Sequence, residues 1–174
     1  MNKIIKKYKH YILPSCLIVV LSFSRIIPHP SNFTPILALG IFSGFYFKNF
    51  ILSFFIVVSS MFLGDLYLGF HNTMFFTYIS LAVAVLLGIL IERFKFKEIL
   101  FTGLASSASF FIITNFGFWA LSGMYEKNFS GLLQSYLMAI PFFHNTLIST
   151  FVYLIVFKFL FEIITQKKLI KNFI

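Results

Sequence analysis

The stretch RIIPHPSNFTP, residues 25–35, sets Arg25, His29 and Asn32 among three prolines, between two strongly apolar runs. Farther along, Asp65 interrupts an apolar run and His71 follows it, Asn115 and Trp119 close another, and His144 and Asn145 stand just after Pro141. These side chains are suited to three kinds of chemistry. Arg25 and Asp65 can pair with each other or contact a polar solute, the asparagines can hydrogen-bond one, and the histidines can ligate a metal or haem. His29, His71 and His144 have no sequence-local partner at metal spacing, no His-Glu-x-x-His and no cysteine pair, so neither a metal site nor a cofactor is expected. Glycine-rich phosphate loops, nucleophile elbows and paired carboxylates are also lacking. No catalytic residue is therefore assigned and the chain is not read as an enzyme.

The elements that hold these residues follow from composition. The chain has 174 residues, 59% hydrophobic and 11% charged, and 14 basic plus 5 acidic residues cannot cover a soluble surface of that size. With mean hydropathy +0.93, the sequence reads as an integral membrane protein whose first partner is the lipid bilayer. The net charge of +9 does not imply a nucleic-acid partner, because the basic residues fall between apolar runs rather than on one folded face. The single cysteine, Cys16, excludes an internal disulfide and a cysteine metal cluster. The motif LPSC before it resembles a lipoprotein cleavage site, and a cleavable signal ending near Ser24 is an alternative. A retained first helix is the reading preferred, since the apolar run ahead of Cys16 is short for a signal core and continues past it.

A hydrocarbon core about 30 Å thick needs roughly 20 apolar residues as helix. Six spans are expected: Tyr11–Ile27, Phe33–Phe47, Phe50–Phe70, Thr73–Ile91, Ile99–Phe118 and Leu132–Thr165. The last is long and contains Pro141, which predicts a separate shallow helix over Leu132–Ile140 before the sixth span proper. No alternation suggests strands and no linker a second domain. The fold class is all-α: a polytopic membrane protein with one transmembrane domain over 1–174, a basic cytoplasmic N-terminal segment 1–10 and a basic tail 166–174.

Basic residues set the orientation. Lys3, Lys6, Lys7, Lys9, Lys48, Arg93, Lys95, Lys97, Lys158, Lys167, Lys168 and Lys171 all fall on one side of a six-span topology, and only Arg25 and Lys127 on the other. The positive-inside rule then places both termini in the cytoplasm, N-in and C-in. Small residues at helical spacing (Gly40 and Gly44, Ser60 and Gly64, Ser80, Ala84 and Gly88, Thr102, Ser106 and Ser109) predict close helix packing, either within one bundle or against a partner membrane protein.

On this topology the polar residues gather on the non-cytoplasmic side. Asp65 lies about 20 Å along its span at about 1.5 Å per residue, where a carboxylate costs about 2.5–3.5 kcal/mol unless it meets water or a partner. Arg25, the arginine on that side, is its expected counter-ion. Asn145, Ser149 and Tyr153 recur every four residues, so they share a helix face that must look inward. Tyr78 and Tyr125 read as anchors at the membrane boundary, and Trp119 as either an anchor or a pocket wall.

The segments RIIPHPSNFTPILALGIFSG, GDLYLGFHNT, TNFGFWALSGMY and GLLQSYLMAIPFFHNTL together resemble an uncharacterised family of small six-helix bacterial membrane proteins. That family is similar in architecture to the substrate-binding S components of energy-coupling-factor (ECF) transporters. The resemblance runs from about Arg25 to Leu147. It implies an S-component-like bundle with a ligand site near the outer face and the first loop as a lid, whose prolines lower the entropy lost on ordering. It carries over Arg25, Asn32, Asp65, Asn115 and Asn145 as matching positions. Two departures stand out: His144 occupies a position where many relatives have arginine, and the first span lacks the Ala-x-x-x-Ala face with which S components dock their coupling subunit.

The expected function is binding and uptake of a small polar or amphipathic solute, of the vitamin or cofactor-precursor class, with an energising ATPase module as a partner. Its expected site is Arg25, His29, Asn32, Asp65, His71, Asn115, Trp119, His144 and Asn145. The alternative is a structural or assembly protein whose polar outer cluster only braces the helices.

Overall fold

The computed structural model describes residues 16–20 and 22–171, with side chains described as far as residue 163. The basic segment 1–10, the start of the first expected span and the lysines of the tail lie outside the described side chains. Among the described residues the chain is all helical. A first helix, α1, includes residues 16–20 and 22–24. It is followed by α2 (Ile36–Phe47), α3 (Phe50–Leu68), α4 (Met74–Leu90), α5 (Phe96–Leu121) and α6 (Phe129–Lys171). Three helices are long and apolar enough to cross a membrane: α3, α5, and α6 over Phe129–Ile163. The apolar helices α2 and α4 are shorter. Their neighbours' outer faces expose Ile51, Phe55, Phe101 and Phe159, the kind of apolar surface that water does not tolerate in a large patch.

Local chemistry sets the helix ends. Pro35 occupies the N-cap of α2, so the helix starts three residues later than the apolar run that begins at Phe33. Lys48 closes it in the left-handed region at φ 51°, its N–H on the Gly44 carbonyl. Asn49 caps α3 by accepting from the Leu52 amide at 2.9 Å. Gly69, at φ 96°, ends α3 where an L side chain would be strained. Helix α5 extends three residues past the expected span at each end; at its start, Lys97 and Glu98 are good helix formers that a hydropathy reading discards.

Helix α2 is the axis of the bundle. Every residue from Ile36 to Phe45 is buried, as expected for a helix that is apolar all round. It packs most extensively on α4, running in the same direction. A Cβ on Gly44 would strike the Val85 carbonyl and one on Gly88 the Ile41 carbonyl, so these glycines let the two backbones touch. The small-residue stripes on α2 and α4 are thus satisfied inside the bundle. One end is then plugged by aromatic rings: Phe42 stacks on Phe157 at 5.0 Å, and Phe45 on Phe94 at 4.7 Å. Lys48, Arg93, Lys95, Lys97 and Lys158 gather around this basic end, where Lys48 donates to the Ile89 carbonyl at 2.7 Å.

The separate shallow helix expected before Pro141 is not there. Helix α6 passes through Pro141 without a break. Proline removes one N–H and crowds the carbonyl four residues back, but α5 holds the two sides in line. Phe111 packs on Tyr136 at 5.5 Å and on Phe143 at 4.9 Å, one ring on either side of the proline, and Tyr136 donates to the Ile112 carbonyl at 2.8 Å.

Candidate functional site

The end opposite the aromatic plug collects the 25–35 loop, the α3–α4 connection and the α5–α6 connection. At about 1.5 Å per residue α2 is about 18 Å long, and α5 about 39 Å. The flanking helices therefore continue past the start of α2, and the space above its first turn is shared between the 25–35 loop and cavities.

Arg25 enters this space just after α1. Its Nη2 lies 2.8 Å from Asp65 Oδ1, with the two side chains 11% and 1% exposed. Its Nη1 donates to the Met61 carbonyl at 2.6 Å. The guanidinium rests on Gly64, where a Cβ would come within 2.5 Å of Nη1. Ser22 extends the same contact: its hydroxyl donates to the Ile18 carbonyl at 2.6 Å and lies 3.1 Å from the Ser60 carbonyl. Small residues of α3 thus open a channel in which the end of α1 lies. Tyr78 completes the group with a long hydrogen bond of 3.4 Å to Asp65 Oδ2. Burying such a pair removes both charges from water, and the three donors around Asp65 and Met61 repay part of that penalty.

The loop itself is fastened to α6. Asn145 donates to the Ser31 carbonyl at 3.0 Å. Ser149 Oγ lies 3.4 Å from the Asn32 carbonyl, and Tyr153 packs on Phe33 with centroids 6.3 Å apart. The polar face spaced by four on α6 therefore meets three consecutive loop residues. Asn32 takes the left-handed backbone at φ 63°, which asparagine tolerates, and reverses the chain so that the Phe33 amide returns to the Pro30 carbonyl at 2.9 Å.

Two cavities adjoin at Arg25 and Asn32. One, of about 380 Å³, lies over Ile36 and Leu37 and is lined further by His29, Thr34, Thr77, Thr146 and Ser149. The other, of about 530 Å³, opens between α4, α5 and α6 and is lined by His71, Thr114, Asn115, Tyr125, Met138 and Phe142 among others. Both volumes fall in the range of small-molecule sites.

Of the residues singled out in the sequence, Arg25, His29, Asn32, His71 and Asn115 line these cavities. Asp65 stands behind Arg25, and Asn145 holds the loop. Trp119 and His144 do not line either cavity. Trp119 donates its indole N–H to the Glu126 carbonyl at 2.9 Å with Lys127 over its ring, and His144 is exposed beside Phe143. Among the described residues no three His, Cys, Asp or Glu side chains converge as metal ligands would.

Sequence reading missed Tyr78 and Thr77. Tyr78 was expected as an interfacial anchor, yet its hydroxyl faces Asp65. The signal was present: Asp65 and Tyr78 are nearly equidistant from the 69–73 connection, and an antiparallel helix pair brings such positions opposite each other. Thr77 is the neighbour of Tyr78 that turns into the cavities.

Residues 6–172 match a family of unknown function, DUF6580, and the chain belongs to that family. No curated protein and no solved structure gives a significant match.

Proposed function

We propose that this protein is a multi-pass protein of the bacterial inner membrane that binds a small, at least partly polar solute in the paired cavities for uptake. All six helices lie within the bilayer in this reading, α2 reaching only part of the way across with the 25–35 loop above it, and the basic, ring-plugged end faces the cytoplasm. The gathering of Lys48, Arg93, Lys95, Lys97 and Lys158 at that end supports the orientation. The observation that carries the reading is the junction of two cavities at Arg25 and Asn32, beneath a loop fastened at one side to α6. The chain would then act as an S-component-like binding subunit, and an ATP-hydrolysing membrane module would supply the energy for transport.

The test is to purify the protein in mild detergent, denature it, and search the released fraction by mass spectrometry for a stoichiometric metabolite. Adding that metabolite back should raise the melting temperature, by an amount that follows RT ln(1 + [L]/Kd). An empty fraction, together with no compound that shifts the melt, sinks the proposal.

One observation favours a second reading. Arg25 already has Asp65 and the Met61 carbonyl as partners, which is what a purely structural brace requires. In that case substitutions at this pair lower stability and leave uptake of every solute unchanged.

A further inference from the structure

The hydrogen-bonding character of the cavity walls is set by the backbone behind them. A carbonyl oxygen only accepts, so a hydroxyl that bonds one spends its single proton on it, and what remains for a ligand is its lone pairs. Thr146 Oγ1 donates to the Phe142 carbonyl at 2.9 Å, Thr114 Oγ1 to Phe110 at 2.7 Å, and Thr77 Oγ1 to Thr73 at 3.4 Å. Ser149 has its single proton between the Thr146 carbonyl at 3.0 Å and the Asn32 carbonyl at 3.4 Å. Asn115 donates through Nδ2 to Phe111 at 2.8 Å, which aims its Oδ1 elsewhere. His29 Nδ1 faces the Pro30 carbonyl at 2.9 Å, so the neutral ring carries its proton there and offers Nε2 as an acceptor. All six residues line the cavities.

The charge balance points the same way. Among the described residues no aspartate or glutamate lines either cavity, and the Arg25 guanidinium in the lining is paired with Asp65. An anion placed on Arg25 would also sit beside the Asp65 carboxylate. Donors remain in the free N–H groups of Arg25, the Asn32 amide and the second N–H of Asn115, and the Thr34 and Tyr125 hydroxyls can serve as either donor or acceptor. Phe110 is common to both cavities and Met138 and Phe142 line the larger, giving flat, polarisable walls.

We infer that the solute is an uncharged ring bearing hydrogen-bond donors, such as an amino- or amido-substituted heterocycle, rather than a carboxylate or phosphate. The inference rests on the binding reading above and narrows it to a chemical class.

The probe set is a panel of uncharged amino- and amido-heterocycles, each with its carboxylate analogue and its N,N-dimethyl analogue, as in nicotinamide, nicotinate and N,N-dimethylnicotinamide. Melting shifts and calorimetric titrations are recorded on the full chain in detergent. Binding confined to the uncharged donor-bearing members supports the inference. For the best binder Thr146→Val should weaken affinity about 3- to 10-fold, the worth of one hydrogen bond, and Thr146→Ser should restore it. Equal or tighter binding by carboxylates or dimethyl analogues overturns the chemical class while solute binding stands. Silence across all three series, with no metabolite released from the purified protein, overturns solute binding and the class together.

Discussion

Asn145 donates its side-chain amide to the carbonyl of Ser31, 3.0 Å away across 114 residues of sequence. That bond fixes the far side of the 25–35 loop to α6, and with it the position of Asn32 between the cavities. Asn145→Ala should loosen the loop by about 0.5–1.5 kcal/mol. Hydrogen exchange at the Phe33 amide, which bonds Pro30 inside the loop, is then expected to quicken about 3- to 10-fold. Unchanged exchange at Phe33 would show that the prolines alone hold the loop.

Arg25 and Asp65 should behave as a coupled pair. Arg25→Gln leaves a carboxylate that is 1% exposed without its partner, a loss of about 3–5 kcal/mol. Adding Asp65→Asn should recover much of it, because a neutral amide needs no counter-ion. Thermal unfolding of both single variants and the double variant gives the coupling energy, and additive losses would show that the two groups do not depend on each other.

Gly64 makes room for the Arg25 side chain. Gly64→Ala places a methyl against Nη1, Cζ and Cδ of that side chain, which should cost about 1–3 kcal/mol. In an Arg25→Ala background the same substitution should cost little. Similar losses in both backgrounds would mean that something other than the guanidinium occupies the channel.

Pro141 interrupts the hydrogen bonding of a helix that continues regardless. Pro141→Ala restores an N–H to the Leu137 carbonyl and should stabilise the protein by up to about 3 kcal/mol. A lower melting temperature would instead show that the packing of Tyr136 and Phe143 on Phe111 depends on the proline.

The proposed orientation is checked with single cysteines in a Cys16→Ser background. Ser31 lies in the loop over the cavities and Glu92 in the connection at the basic end, both exposed. An impermeant maleimide added to intact spheroplasts should label Ser31→Cys and spare Glu92→Cys, and inverted vesicles should reverse the pattern. Labelling of both from one side rules out the topology.

Much of the bundle was legible because apolar runs and breakers are local. Gly69, Pro35 and Asn49 stop or start helices through their own backbone chemistry, and the bounds of α3 and α4 fall within two residues of the expected spans. Pro141 misled the reading because whether a helix survives a proline depends on what it packs against. Trp119 and His144 were grouped with the cavity by their side of the expected membrane topology, but a helix end has several sides, and theirs face the α5–α6 connection and the exterior.

The sequence by itself determined that the chain is helical, too apolar for a soluble surface, and polar at one end of its helices, since composition and spacing carry those facts residue by residue. It also forced Asp65 to find a partner, because an isolated carboxylate in an apolar run is too costly. Only the tertiary structure decided that Arg25 reaches that partner over Gly64, that Tyr78 joins them, and that hollows remain above α2. Those outcomes depend on how far each helix extends beside its neighbours, and no stretch of the chain contains that relation.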